Sequence, residues 1–248
     1  EGNLIGRQSG WNEIGVMEMM IDSRIWELAA DSFWDILLPG LTVTIPLTVL
    51  SFSFALVIAV AAALVQFAGV PVLKQTARFY IWVIRGTPLL VQLFVVFYGL
   101  PRLGILIDAF PAAVLVFSIN EGAYCAETIR AALAAVPAGQ MEAGLCVGMH
   151  YLQIIRRIVL PQALKIAFPS LSNSLIAMVK DTSLAANITV TEMFMVTQRI
   201  VARTYEPLVL YIEVGAIYLL FSTVLARVQA VMERRMSQPG GRRPRANV

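Results

Sequence analysis

An all-α integral membrane protein with five core transmembrane helices is the fold class this sequence predicts, and three observations predict it. Of its 248 residues, 58% are hydrophobic and only 14% are charged, where a soluble domain of this size carries about 25%. Apolar runs recur along the chain that match the roughly 20 residues a spanning helix needs. Lysine and arginine collect in alternate connections, the bias that marks the cytoplasmic side of a membrane protein. The mean hydropathy is +0.74. A net charge of +3 gives no reason to expect a nucleic acid partner. Cys125 and Cys146 supply no disulfide framework, and His150, the one histidine, supplies no metal cluster.

The first 36 residues are acidic, with Glu1, Glu13, Glu18, Asp22, Glu27, Asp31 and Asp35 against Arg7 and Arg24. They lack the basic-then-apolar order of a cleavable signal peptide, and the missing initiator methionine fits processing of this end. Ile14, Met17, Ile21, Ile25 and Leu28 recur at helical spacing. That spacing predicts an amphipathic helix over residues 11–38, lying at the outer interface. Residues 37–67 form the first span. The second, 79–98, has a charged break at Arg85, where Arg85-Gly86-Thr87-Pro88 predicts a kink, a gating hinge being the alternative. The third, 105–126, carries Glu121. Residues 166–179 are apolar but short, Lys180 and Asp181 interrupt them, and 184–196 are apolar again, which fits one span with a membrane-adjacent segment or two spans. Residues 208–230 are the last.

Charge bias chooses the number. Lys74 and Arg78 follow the first span, Arg130, Arg156, Arg157 and Lys165 follow the third, and Arg227, Arg234, Arg235, Arg242, Arg243 and Arg245 follow the last. All three segments lie inside only if the count is odd. Five spans, with the N-terminus outside and the C-terminus inside, satisfy every loop. The chain therefore divides into an outer interfacial segment (1–36), a transmembrane domain (37–235) in contact with lipid, and a basic cytoplasmic tail (236–248). The tail is too poor in apolar residues to fold and is expected to be disordered.

Catalytic signals are missing. Lys74, Lys165 and Lys180 follow Leu73, Leu164 and Val179, so no lysine follows the glycine a P-loop needs. Catalysis that drives the function is expected on a partner. Ionisable groups at membrane depth are costly and mark pathways or buried pairs. Glu127 and Arg130, three apart, are expected to pair. Lys180 and Asp181 break an apolar run beside Thr182 and Ser183, as helices lining water do; an interhelical ion pair is the other reading. Glu121 has no sequence-local basic partner, and Gln92 offers a hydrogen-bonding group on the second span. Glu121, Asp181, Ser183 and Gln92 are expected to approach a zwitterionic substrate. Glu213, near the outer end of the last span, is expected to be solvated or paired.

The loop at 137–161 carries Glu142-Ala143-Gly144, then three residues, Gly148, nine residues, Ile158, one residue, and Leu160-Pro161. Pro137 and Gly139 are expected to break the helix descending from the third span. Glu142 would then open a new helix, where the dipole favours a carboxylate, and Ala143, Gly144 and Gly148 would give a face that another protein can approach closely. This order resembles the signature cytoplasmic loop of the permease subunits of ATP-binding-cassette (ABC) importers. Gly144 departs from the pattern, which usually has alanine there, and is expected to loosen the helix slightly. RGTPLLVQLF at 85–94, FYGLP at 97–101, Asn120 to Tyr124 with Glu127 and Arg130, and residues 160–184 resemble the polar amino acid branch of that family. Residues 179–194 resemble permeases for cystine and related amino acids.

The resemblance implies a type I ABC importer permease fold in the bacterial inner membrane. It implies that Glu142, Ala143, Gly144, Gly148, Ile158, Leu160 and Pro161 couple the chain to an ATPase subunit that binds ATP and Mg, and that this chain is not itself an enzyme. A second permease, the same or related, and an extracytoplasmic amino-acid-binding protein complete the expected assembly. The function so implied is the transmembrane subunit of an importer for a polar amino acid. An ion-gradient-driven amino acid transporter and a membrane receptor subunit are the alternatives; the lack of an internal inverted repeat argues against many of the former.

Overall fold

From Ser23 the chain stays helical for 45 residues, forming α1 (Ser23–Phe67). The structure, a computed structural model, describes residues 23–68 and 71–237, and among them it contains helices and turns but no strand. At 1.5 Å per residue α1 is about 68 Å long, over twice the roughly 30 Å of a hydrocarbon core. The amphipathic stretch expected over 11–38 is, in its described part, the opening of α1, and no break falls at residue 36. Pro39 removes one N–H from the ladder, and the helix absorbs the loss as a π turn, Gly40–Thr44, instead of ending. Residues 11–22 of that stretch and the tail from 238 lie outside the described residues.

The second apolar stretch is a corner. α2 (Pro71–Arg85) and α3 (Leu89–Leu103) meet at 101°, so at most one of them stands near the membrane normal. The single span expected over 79–98 is thus a bent pair of helices, which counts either as one broken span or as a re-entrant turn. Pro88 is extended, with ψ 136°, and a proline holds the residue before it out of the helical region. α4 (Ala109–Ala134) runs past the expected end at 126. α5 (Ala138–Cys146) and α6 (Tyr151–Ile154) follow, and α6 passes through a π turn, Ile155–Val159, into α7 (Leu160–Asp181). A 3-10 segment, Thr182–Ile188, then leads to α8 (Met193–Thr204) and α9 (Pro207–Ser237). The 12 residues of α8 reach only about 18 Å, so of the two readings left open for 166–196 the geometry gives one long helix and an adjacent segment. By length and composition α1, α4 and α9 can cross a membrane, with the α2–α3 pair as a fourth if counted as one span. α7 has 22 residues, enough for a fifth, but Lys165, Lys180 and Asp181 make it more polar.

Small residues set the packing. In α1 Ala55, Ala59 and Ala63, one per turn, are fully buried. In α4 Ser118, Gly122 and Ala126 repeat that spacing and are buried too. Lipid is as apolar as leucine, so helices in a membrane associate through close contact, which small residues permit. A Cβ at Gly122 would lie 2.9 Å from Ile58 Cγ2 and 3.1 Å from the Tyr80 hydroxyl. Tyr80 of α2 donates to the Ile119 carbonyl at 2.6 Å, which seats α2 on the same helix.

α1 and α4 run in the same direction. Leu47 clusters with Ala112, Phe117 and Ile188 at one end, and Ala63 with Ile129, Leu133, Ile154 and Val159 at the other. Ile36, Met193, Leu210 and Val214 form a third cluster that holds α8. Gln229, late in α9, donates to the Pro169 carbonyl and Asn173 Oδ1 of α7 at 3.4 and 3.2 Å. The ends of α1, α4 and α9 thus lie with the start of α7. Arg130, Arg156, Arg157, Lys165, Arg234 and Arg235 share that end of the bundle.

Gly122→Val should overfill the α1–α4 contact and destabilise the protein by about 1–3 kcal/mol, read as a lower thermal midpoint in detergent. Gly139→Ala, with nothing within 4 Å of the added carbon, should leave the midpoint unchanged or raise it.

Candidate functional site

At the basic end, Pro137 is extended (ψ 134°) and α5 begins at Ala138. Gly139 lies inside this helix and does not break it. Glu142 therefore sits in the second turn, beyond the reach of the helix-dipole effect expected for it, which fades within the first turn. Glu142 and Ala143 are exposed. Beside them Leu145 is 57% and Val147 75% exposed, and Leu152 of α6 is exposed as well.

Gly144 faces the other way and is buried. A Cβ there would come within 2.7 Å of Ile154 Cγ1, so the glycine provides a close approach of α5 to α6. That corrects the expectation that it merely loosens the helix or faces a partner. Gly148 is a turn residue, with φ +78°. Its N–H donates to the Leu145 carbonyl at 2.9 Å, and the Met149 N–H donates to that of Gly144 at 3.0 Å. These are the paired bonds of a helix that ends on a left-handed glycine. Ile158 and Leu160 pack against the core cluster around Ile154. Pro161 is exposed in the first turn of α7, and the π turn precedes this residue that lacks an N–H. The motif thus divides in two. Gly144, Gly148, Ile158 and Leu160 shape and seat the loop, while Glu142 and Ala143 project from it. Leu145 and Val147 project as well, and the sequence reading missed them because they occupy unspecified positions of the pattern.

The α2–α3 corner is hydrogen-bonded throughout. The Thr87 hydroxyl donates to the Val83 carbonyl at 3.0 Å, and Gln92 Nε2 donates to the Ile84 carbonyl at 2.8 Å and to Thr87 Oγ1 at 2.8 Å. Asn120 Nδ2 of α4 donates to Gln92 Oε1 at 3.0 Å. The Arg85 guanidinium lies over the Tyr124 ring, 5.1 Å from its centroid. Both ends of the Gln92 amide, expected to meet a substrate, are engaged within the chain, and the geometry favours the kink reading over the hinge.

Glu121 sits 12 residues into α4, about 18 Å along it. The Cys125 thiol donates to Glu121 Oε1 at 3.3 Å. Ser174 and Asp181 of α7 lie near enough to act on the charge of this carboxylate, and Asp181 also lies near enough to the Lys180 charge to be affected by it. Ser183 lies elsewhere: its hydroxyl donates to the Lys180 carbonyl at 2.7 Å, and both residues line a cavity of about 480 Å³ with Phe194, Tyr211 and Tyr218. The structure thus sets Asp181 within electrostatic range of Glu121, Gln92 in the corner and Ser183 on a separate cavity.

Four further ionisable groups have partners inside the chain: Arg130, Glu127, Glu213 and Glu192. Arg130 and Glu127 form the expected ion pair. Glu213 accepts from the Ser32 hydroxyl at 2.6 Å. Glu192 was missed by the sequence reading. It is 0% exposed, accepts from the N–H groups of Phe194 and Met195 at 2.9 and 2.7 Å, and accepts a hydrogen bond from the Tyr218 hydroxyl at 2.9 Å. It caps α8, a role for which aspartate, asparagine, serine and threonine are the usual signals.

Residues 55–238 match the family model described as binding-protein-dependent transport system inner membrane component. The chain is 46% identical over 214 residues to the L-cystine transport system permease protein TcyB of Bacillus subtilis (strain 168), covering 86% of this chain and 92% of that protein. It also matches the crystal structure of an amino acid ABC transporter, with a TM-score of 0.78 and 35% identity over 84% of this chain and 97% of that one. An inward-facing MetNI methionine ABC transporter matches with a TM-score of 0.72 at 19% identity, over 84% of this chain and 99% of the other; that likeness shows the fold alone.

Gln92→Leu removes the partner of the Ile84 carbonyl and of the Asn120 amide. A buried polar group left unpaired costs about 1–3 kcal/mol, so this variant should unfold at a clearly lower temperature than wild type in the same detergent.

Proposed function

The chain belongs to the family of binding-protein-dependent transport system inner membrane components, and on that premise we propose that it is the transmembrane subunit of an ATP-driven importer for a polar amino acid, cystine or a close relative. The fold is that of a type I ABC importer permease in the inner membrane. Such a permease is not itself the catalyst, and the family implies ATPase partner subunits.

The observation that carries the coupling role is the division of the loop. Glu142, Ala143, Leu145 and Val147 stand clear of the bundle, on a helix whose other face is locked onto Ile154 through Gly144. An exposed apolar patch rimmed by a charge is a surface for another protein. It docks into a groove on the ATPase subunit, which holds ATP and Mg. α6 and α7 then form one rod from Tyr151 to Asp181, interrupted only by the π turn. A displacement of α5 reaches Asp181 through this rod and changes its distance from Glu121.

The two carboxylates, with Ser174 and Cys125 beside them, offer a site for the ammonium group of a zwitterion. Gln92 acts on that site through Asn120, the neighbour of Glu121, and Ser183 contacts the substrate from the adjoining cavity. An extracytoplasmic binding protein delivers the amino acid at the outer end, and a second permease, identical or related, completes the path. The N-terminus lies outside and the C-terminus inside, with five spans.

Two experiments test this. Leu145→Asp with Val147→Asp should abolish co-purification of the ATPase subunit and cut ATP-dependent uptake at least about tenfold, as charged groups at an apolar contact do, with an unchanged thermal midpoint. Retained co-purification speaks against the docking face. Glu121→Gln and Asp181→Asn should each weaken amino acid uptake; if both leave affinity and rate intact, the ammonium site is wrong. Uptake that survives ATP depletion but collapses with the proton or sodium gradient overturns the ATP-driven reading as a whole.

A further inference from the structure

Two arginines stand at the end of the bundle opposite the basic one, where charge bias gives no reason to expect them. Arg199 and Arg203 belong to α8, which packs with Ile36 and Leu210 at that end. They are four apart and so share one side of the helix, while Met193, Thr197 and Ile200 are buried on another. With Asp35 of α1 they line a cavity of about 600 Å³, whose other walls are Val196, Ile200 and Ala202. Arg199 Nη2 donates to Thr191 Oγ1 at 3.3 Å. Among the described residues Arg203 and the Asp35 carboxylate have no hydrogen-bond partner, and no carboxylate lies within 4.0 Å of either guanidinium.

Two helices give the depth of this cavity. Along α1, Asp35 lies about 48 Å from Phe67 at the basic end; along α9, Pro207, just after α8, lies about 40 Å from Arg234. A hydrocarbon core is about 30 Å thick, and about 40–45 Å with its headgroup layers. Both rulers therefore set the cavity in the headgroup layer of the leaflet away from the basic end. Trp34, beside Asp35, is 68% exposed, and Trp26 is 75% exposed; tryptophan collects at this level of a membrane. Open charged surface at that depth meets phospholipid headgroups. Leu38, about one turn deeper on α1, is 61% exposed and faces the level where acyl chains begin.

We propose that this cavity holds the headgroup of one aminophospholipid, phosphatidylethanolamine, with Arg199 and Arg203 on its phosphate and Asp35 on its ammonium. A guanidinium is a planar fork of donors that matches phosphate oxygens in pairs, and two of them face one cavity here. Asp35 supplies the opposite charge, and its oxygens accept from an ammonium N–H. A choline headgroup has no such N–H, and a glycerol headgroup has no positive charge. The bound lipid ties α8 to α1 across a gap that no ion pair between described residues spans. The assignment depends neither on which amino acid is carried nor on how an ATPase docks.

The test is native mass spectrometry of the detergent-purified permease–ATPase complex, titrated with phosphatidylethanolamine, phosphatidylcholine and phosphatidylglycerol of identical acyl chains. Water-soluble glycerophosphoethanolamine is a fourth ligand. Wild type should retain one phosphatidylethanolamine per permease in preference to the other two lipids, and should hold the soluble headgroup far more weakly. Arg199→Gln with Arg203→Gln should lower retention of every lipid about tenfold or more, the usual cost of losing charge-assisted hydrogen bonds. Asp35→Asn leaves the arginines in place, so it should still bind lipid but lose the preference for ethanolamine. Equal retention by wild type and the double arginine variant overturns the site, as does an unchanged headgroup preference in Asp35→Asn. Glycerophosphoethanolamine bound as tightly as the lipid overturns it in favour of a soluble phosphate ester. A double arginine variant that keeps its lipid but no longer captures the purified extracytoplasmic binding protein assigns the face to protein docking, and likewise overturns it.

Discussion

Close contact between α1 and α4 sets the position of nearly everything else. Their pairing is the most extensive in the structure, and it runs through residues that carry almost no side chain: Ala55, Ala59 and Ala63 against Ser118, Gly122 and Ala126. Hydrophobicity cannot discriminate one apolar helix from another inside lipid, so shape must do it. Gly122 matters most because two elements converge on it, with Ile58 of α1 and the Tyr80 hydroxyl of α2 both in contact range. Two residues to either side on the same helix, Asn120 and Tyr124 hold the α2–α3 corner through Gln92 and Arg85. Glu121 lies between these anchors, so its position is fixed by the contacts of its own helix neighbours.

The opposite wall of the site is built from a single continuous element. From Tyr151 to Asp181 the chain leaves the α-helical ladder only at Ile155–Val159. Gly144 lets α5 touch the beginning of this element, and Ser174 and Asp181, toward its end, act on the charge of Glu121. The seat of the exposed loop and Asp181 therefore belong to one continuous lever, while Glu121 belongs to α4, part of the frame. A signal along the lever needs no chain of side-chain rearrangements, only a shift of one body against another.

Composition and charge made the membrane class and the shared basic end legible, because both are averages over many residues. Glu127 and Arg130 were legible because their spacing alone brings them together. Gln92 was harder: it stands in an apolar run, and nothing local says that its amide is spent on carbonyls freed by Pro88. Gly144 and Gly148 were seen as small residues, yet one is a helix–helix contact and the other a left-handed cap, a difference that only the position of Ile154 and the backbone φ settle. Glu192 was invisible because glutamate is not an ordinary cap, and its partner Tyr218 is supplied by another helix. The extent of α1 was misjudged for the opposite reason. Pro39-Gly40 reads locally as a helix end, but a ladder of this length accommodates a missing N–H as a π turn.

The same device recurs at the base of the lever, and its surroundings bear on how force crosses it. A π turn by itself is a weak point, since its hydrogen bonds are strained and its register differs from that of its neighbours. Here Ile155 and Val159 point into the cluster that contains Ile129 and Leu133 of α4 and Ala63 of α1. Gln162, one turn further on, donates to the Ile158 carbonyl at 2.9 Å and lies 3.4 Å from Gln140 Oε1 of α5. The turn is therefore clamped from the bundle side and bridged from the loop side. Bending at Ile155–Val159 would require opening packed core, which is less compliant than sliding α7 along the frame. The weak point in the backbone is thus braced by tertiary contacts, so a displacement of α5 would move α7 as one body rather than bend it at this turn.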